Sequence, residues 1–216
     1  MSAPLLTPRE TAFVVERDVR DVQRAVDGGV VRRRTRRRGG RTERVFGRPE
    51  LRFFRALRDV EGTLTPEGRR RWYEAFQRAR AGRARVGPLE VDVADLDRRI
   101  ESRVAELEAV RGAVEDGLEG EPVLRGTSVP VYLIAALAAG EGVDGAVQAY
   151  PSLSRAAVER AAAYAELYPK RGRPYPAKSL KAMLAGLGLP DEVFDDAGED
   201  AGAPEAPSDG PREVRL

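Results

Sequence analysis

The chain has 216 residues and contains neither cysteine nor histidine, which excludes disulfides, thiolate metal sites and a cysteine nucleophile and removes the commonest general base. Its formal net charge of +2 conceals an asymmetry: residues 1–60 carry 16 basic and 8 acidic side chains, whereas residues 187–216 carry 9 acidic and 2 basic ones. No enzyme, cofactor or small-molecule substrate is expected from this composition; a basic head is the electrostatic footprint of a nucleic-acid binder.

The N-terminal residues lack a basic stretch followed by an apolar run, and the longest apolar run, 129–139, is too short to span a bilayer. A cytoplasmic location without membrane contact is therefore expected. Only Lys170, Lys178 and Lys181 are lysines, a bias that a GC-rich genome explains as well as a functional need for guanidinium.

Thr7-Pro8-Arg9-Glu10 reads as a helix start: Thr7 caps, Pro8 suits the first helical position and Glu10 completes a capping box. Ala12, Phe13 and Val15 supply apolar positions. After a break at Glu16-Arg17, Asp18 caps a second helix in which Val19, Val22 and Val26 share a face, and Gly28-Gly29 ends it. Two short helices joined tightly, with small Ala12 at their crossing, read as helix-turn-helix. Gly39-Gly40 between extended segments predicts a β-hairpin, a wing, over 30–46, because the favoured two-residue turns need positive φ. Pro49 opens another helix with Leu51, Phe54, Leu57 and Val60 on one side. Residues 5–60 are thus expected to form a winged helix-turn-helix head.

A central helical section is expected over 61–115. Thr65-Pro66-Glu67 starts a helix that carries Trp72, Tyr73, Ala75 and Phe76 into the core, and residues 81–88 read as a loop. Leu89, Val91 and Val93 alternate with Glu90 and Asp92, predicting a short strand. Leu96, Ile100, Val104, Leu107, Val110 and Val114 mark a long amphipathic helix that serves either a dimer seam or its own core. Residues 115–121, acidic and Gly-containing, read as a linker. Arg125-Gly126-Thr127 reads as a turn between short extended pieces. Helices over 132–139, ended by Gly140, over 143–150, stopped by Pro151, and over 155–168, capped by Ser154, predict a trihelical C-terminal domain at 120–169. The last of them shows a thin polar set, Arg155, Glu159 and Arg160, that suits packing or dimerisation better than base reading. The fold class expected is mainly α, with a disordered acidic tail over 191–216.

Two stretches carry the chemistry. Arg32, Arg33, Arg34, Arg36, Arg37, Arg38, Arg41 and Arg44 fall within thirteen residues; like charges on adjacent strands repel, and phosphate oxygens, which guanidinium binds bidentately, relieve that repulsion. The second helix exposes Arg20, Gln23, Arg24 and Asp27, of which Gln reads adenine and Arg reads guanine in a major groove. Both point to double-stranded DNA. In the other stretch, 170–190, Arg171, Arg173, Lys178 and Lys181 flank prolines and lead into Leu180, Met183, Leu184 and Leu187, a set of charges and apolar anchors suited to ordering on a partner protein. Glu101, Glu106 and Glu108 fit a solvated helix face, and neither a phosphate loop nor a nucleophile–base pair is present.

The run GEPVLRGTSVPV from Gly120 to Val131, followed by YPSLS from Tyr150 to Ser154 and an Ala-rich helix reaching Tyr164, resembles domain-of-unknown-function family 433. GRPELRFFRAL from Gly47 to Leu57, LTP ending at Pro66, RRRWY ending at Tyr73 and KRGRP from Lys170 to Pro174 are similar to the longer VapB-type antitoxins that carry this domain. The chain departs from their pattern at Ser128 and Ala149. The resemblance implies an antitoxin of a type II toxin–antitoxin pair with a homeodomain-like C-terminal domain, a cognate PIN-domain ribonuclease toxin as partner, and repression of its own operon as a homodimer on operator DNA. It also implies that an arginine of the partner-binding segment, Arg171 or Arg173, pairs with the acidic cluster that holds Mg²⁺ in such a toxin. The alternatives left open are a stand-alone DNA-binding transcription regulator without a toxin and an interaction protein whose basic head binds an acidic protein.

Overall fold

The computed structural model describes residues 4–79, 82–178 and Met183. It is mainly helical, with seven α-helices and three two-stranded antiparallel sheets among the described residues. Residues 1–177 form one compact unit. None of the described helices is long and apolar enough to cross a membrane.

Helix α1 (Pro8–Val15) begins with the capping box at Thr7: its hydroxyl accepts from the Glu10 N–H, and the Glu10 carboxylate accepts from the Thr7 N–H at 2.8 Å. The helix stops where Glu16 turns left-handed, φ 55°. Helix α2 (Val19–Asp27) is capped by Asp18, which accepts from the Arg20 N–H at 2.6 Å, and buries Val22 and Val26. Strands β1 (Thr35–Arg38) and β2 (Arg41–Arg44) follow, joined at Gly39 and Gly40, whose φ values of 54° and 75° are those a tight hairpin requires. The base of the hairpin is tied down by Val31, Val45 and Phe46, all buried, and by a backbone bridge from Phe46 to Leu6.

Helices α3 (Arg48–Val60) and α4 (Pro66–Arg78) pack through Phe53, Phe54, Trp72, Tyr73 and Phe76, with Phe53–Tyr73 and Trp72–Phe76 in edge-to-face contact. Residues 83–86, within the stretch expected as a loop, form strand β3 (Arg83–Val86), which pairs with β4 (Leu89–Asp92) around the turn at Gly87. The strand signal was weak because its one buried side chain is small Ala84 between two arginines. Val93, expected at the end of the strand, instead opens helix α5 (Val93–Gly112), for which Asp92 provides the cap. Helix α5 spends its apolar face inside the unit: Val93, Leu96, Ile100, Leu107 and Val110 are buried in the same cluster as the head and α3–α4, and the cluster takes in Leu167.

The acidic stretch expected as a linker is structured at both ends. Strand β5 (Val114–Asp116) pairs with β6 (Pro122–Leu124), and Gly117 N–H reaches Glu121 O at 2.9 Å; three ladder positions need little apolar signal, so acidic composition misled. Arg125-Gly126-Thr127 is a turn, with Thr127 N–H bonded to Leu124 O at 3.0 Å. Its arginine is committed to backbone carbonyls of Gly112 and Val114. A second cluster holds α6 (Val131–Ala149) against α7 (Arg155–Leu167) through Ile134, Leu137, Ala146, Val158 and Ala161. Helix α6 is broken, but at Gly142 (φ 78°), two residues beyond the expected stop. Gly140 stays helical, and a Cβ there would overlap the Ala177 carbonyl, so this glycine serves a close backbone approach.

Glu10 joins the parts of the unit. It is 3% exposed, yet its Oε1 accepts from Arg111 of α5 at 2.6 Å and from the Tyr168 hydroxyl, just past α7, at 2.5 Å. Burial alone would push the Glu10 carboxyl up; the hydrogen bonds from Tyr168 and Arg111 outweigh it and hold the pKa below the ordinary glutamate value. Burial pushes the Tyr168 hydroxyl up to about 12.

Because its folded pKa is depressed, Glu10 contributes stability that is complete above about 4.5, its ordinary value, and is lost as pH falls through the folded value. Glu10→Ala removes the buried acceptor shared by Arg111 and Tyr168, leaving Arg111 with Glu108 and the Tyr168 hydroxyl, and is expected to cost about 3 kcal/mol, read as a lowered thermal midpoint at pH 7. The deficit relative to wild type should shrink below pH 4.5; a deficit independent of pH would remove the carboxylate charge from the account.

Candidate nucleic-acid interface

The residues at 20, 23, 24 and 27 follow one face of α2, since positions three, four and seven apart stack on a helix. Arg20, Gln23, Arg24 and Asp27 are all exposed, because Val22 and Val26 take the inner face. Arg24 is held by Asp21 at 2.5 Å, and Asp21 also lies 3.6 Å from Arg17. The outward face of α2 is therefore polar, with Arg20 and Gln23 free to reach outward.

The hairpin lies against the C-terminal end of this helix. Pairing sets Thr35 opposite Arg44, Arg36 opposite Glu43, Arg37 opposite Thr42 and Arg38 opposite Arg41. Of the eight arginines, seven have described side chains, and these divide. Arg36 is bonded across the strands to Glu43, Nε and Nη2 both reaching Oε1, at 3.1 and 2.8 Å. Arg44 is paired with Asp27 at 2.9 Å. Arg32, Arg33, Arg34, Arg37 and Arg41 are exposed, and among the described residues none of them forms an ion pair. The root of the hairpin rests on a buried carboxylate: Glu50 accepts from the Gly47 N–H at 2.9 Å, the Tyr73 hydroxyl at 2.9 Å and the Gln77 amide at 2.8 Å. Burial, and the Glu50 charge beside it, push the Tyr73 hydroxyl far above its ordinary value, while the backbone of Arg32 acts in the opposite direction.

The second hairpin of the chain provides an internal comparison. Arg83 and Arg85 of β3 both pair with Glu90 of β4, at 2.6 and 2.5 Å. The helices do the same: Arg48 and Arg52 share Asp97, Arg58 takes Glu16, and Arg98 and Arg99 share Asp95. An abundance of arginine in this chain is ordinarily met by acids in place; the first hairpin departs from that rule.

The other predicted set lies beyond α7. Lys170 is drawn onto Glu121 at 2.6 Å, with its ammonium 4.7 Å from the Tyr175 ring centre and 5.5 Å from that of Tyr132. Tyr175 donates to the other Glu121 oxygen at 2.9 Å. The bond from Lys170, with that from Tyr175, holds the Glu121 carboxyl below its ordinary range. Composition marked the segment as basic but did not show this tether; Tyr175 between two prolines was its only trace. Arg171 and Arg173 are exposed, and among the described residues neither has an ion-pair partner. Lys178 and Met183 are exposed as well; Leu180, Lys181, Leu184 and Leu187 lie outside the described residues.

Residues 115–165 match the family described as protein of unknown function (DUF433), which takes in β5, β6, α6 and most of α7. An uncharacterized protein of Sinorhizobium fredii (strain NBRC 101917 / NGR234), y4eO, is 43% identical over 89 residues, 39% of this chain and 40% of that relative. The alignment thus spans well under half the length of the relative. No solved structure matches the chain.

Arginines that serve no partner within the fold should be dispensable for it. Arg37→Ala and Arg41→Ala are each expected to leave stability within about 0.5 kcal/mol of wild type, measured by urea unfolding. A loss of several times that amount would make them structural residues.

Proposed function

We propose that the chain is a DNA-binding antitoxin: a winged helix-turn-helix head, formed by α1, α2 and the first hairpin, binds double-stranded operator DNA as a homodimer and represses the operon, while the segment after α7 neutralises a cognate PIN-domain ribonuclease. The observation that carries the DNA half is the group of five exposed, unpaired arginines beside the polar face of α2. Guanidinium groups concentrated on one short hairpin without ion-pair partners repel one another, and a polyanion relieves that repulsion more completely than water does. On a duplex, α2 would lie in the major groove with Arg20 and Gln23 toward base edges, and the hairpin would follow the phosphates or enter the narrower groove. The protein performs this role in the cytoplasm, without enzymatic chemistry and without a cofactor.

The toxin half rests on the resemblance of the sequence motifs to those of VapB-type antitoxins and on Arg171 and Arg173, which are exposed and, among the described residues, without an ion-pair partner. A metal-binding cluster of carboxylates is the natural counterpart of such groups, and an arginine inserted there replaces the metal's charge.

Five phosphate contacts per copy contribute about −4.5 per bound copy to the slope of log affinity against log salt, so that the homodimer has a slope of about −9 and weakens on the order of 10⁵-fold from about 50 to about 200 mM salt. Fluorescence anisotropy of a labelled duplex taken from upstream of the reading frame measures this; a flat salt response removes the hairpin from the interface. For the toxin half, the adjacent open reading frame is induced alone and then together with this chain. Growth arrest, rescue and a co-purifying complex are expected, and Arg171→Ala/Arg173→Ala should weaken rescue while leaving DNA affinity unchanged. DNA binding without a toxic neighbour would favour the stand-alone regulator; competition of duplex DNA by an acidic protein alone would favour the interaction protein.

A further inference from the structure

We infer that Asp27 and Arg44 form a latch that fixes the angle between α2 and the first hairpin, so that Arg44 is a positioning residue for DNA binding and not a phosphate contact; this rests on the DNA-binding reading above.

Asp27 is an unexpected residue where it stands. It is the last residue of α2, where the carbonyl end of the helix dipole disfavours an acid. It is 61% exposed on its side chain, so burial does not require it. It sits beside the arginine-rich hairpin, where a carboxylate opposes the approach of a polyanion. Its one ion pair among the described residues is with Arg44, Nη1 to Oδ1 at 2.9 Å. An exposed pair of this kind adds little to stability, so the fold alone gives no reason for it.

The geometry supplies one. The hairpin is anchored at its base by Val31, Val45 and Phe46, and the Val30 and Val31 N–H groups both bond to the Ala25 carbonyl of α2; these ties hold the strand that enters the hairpin, whereas Arg44 ties the strand that leaves it. Between α2 and β2, the Asp27–Arg44 pair is the one side-chain ion pair among the described residues. Arg44 lies at the root of β2, opposite Thr35, where a short tether controls the direction of everything toward Gly39 and Gly40. A two-stranded ribbon twists and bends readily. Fixing its root therefore fixes where Arg37 and Arg41 fall relative to Arg20 and Gln23. The cross-strand bond from Arg36 to Glu43 stiffens the same ribbon one position further along. The acid thus divides the cluster: Arg44 is spent on orientation, and the arginines around it remain for phosphate.

Anisotropy titrations of a duplex from upstream of the reading frame, run at several salt concentrations, test the latch. Arg44→Ala should weaken binding by about two- to fivefold, as expected for loss of an exposed pair, while keeping the wild-type salt slope. Arg37→Ala, by comparison, should lower the slope by about 0.9 per bound copy. Asp27→Arg and Arg44→Asp should each disturb binding, and the double exchange, which keeps the net charge, should recover affinity beyond the sum of the two single effects. Urea unfolding of each variant should match wild type. A slope lowered by about 0.9 per bound copy in Arg44→Ala would make Arg44 a phosphate contact and overturn the latch. So would strict additivity of the exchange, or an Arg44→Ala variant that binds like wild type. A wild-type chain that binds the duplex without salt dependence would instead overturn the DNA-binding reading itself.

Discussion

A single buried carboxylate holds the working parts of this protein in register. The Glu10 Oε2 atom accepts from the Thr7 N–H and so begins α1; its Oε1 atom accepts from Arg111 and Tyr168 and so ties α1 to α5 and to the end of α7. In a medium of low polarity these bonds are strong and their loss is costly. Burial works against the charge of Arg111, yet its bonds to Tyr168 and Glu10 raise its pKa, so the guanidinium stays charged at any pH at which the protein folds. Because α2 follows α1 after a three-residue turn and the hairpin follows α2, the direction in which the basic face points is inherited from this one site.

A second buried carboxylate repeats the arrangement with neutral partners. Glu50 is satisfied by a backbone N–H, a phenol and a side-chain amide, and it carries the root of the hairpin against α3 and α4. Around these two anchors the remaining charges are largely matched: Arg52 forms a two-bonded pair with Asp97 and also reaches the Ala79 carbonyl. Ion pairs at the surface contribute little individually. Among the described residues, exposed arginines without an ion pair are concentrated on the first hairpin and directly after α7, with others such as Arg20, Arg70 and Arg160 standing apart from these two groups.

Local signals were legible in the sequence wherever one residue type has one physical role. Thr7 with Glu10, Asp18, Thr65 and Ser154 cap the helices they were expected to cap, and Gly39-Gly40 marks the hairpin turn. The helix expected over 96–114 left two uses open, and packing resolves them: α5 ends at Gly112, with Val114 passing into β5, and its apolar face is filled by the unit's own core. What failed were segments whose stability comes from pairing and not from composition. Strand β3 buries only Ala84 fully, with Val86 half-buried against the core, and β5 is three residues of mostly polar character held by its ladder with β6. Gly140 and Gly142 are indistinguishable as letters; one is needed for a close approach and the other for a positive φ. Within the candidate site, the sequence shows the density of arginine but not its division. Pairing of Arg36 with Glu43 and of Arg44 with Asp27 depends on register and on the angle between helix and hairpin, neither of which a count of charges contains.

The claim that organises this account is that α2 and the first hairpin together meet DNA, and that α7 does not. Amide hydrogen exchange, compared for the free chain and for the chain saturated with a duplex from upstream of its reading frame, tests it most directly. Protection is expected over residues 19–44, strongest on the outward side of α2 and around Arg37 and Arg41, with residues 155–167 unchanged. Protection confined to residues 155–167, with the hairpin exchanging as it does in the free chain, would contradict the account and move the DNA contact to the C-terminal helices.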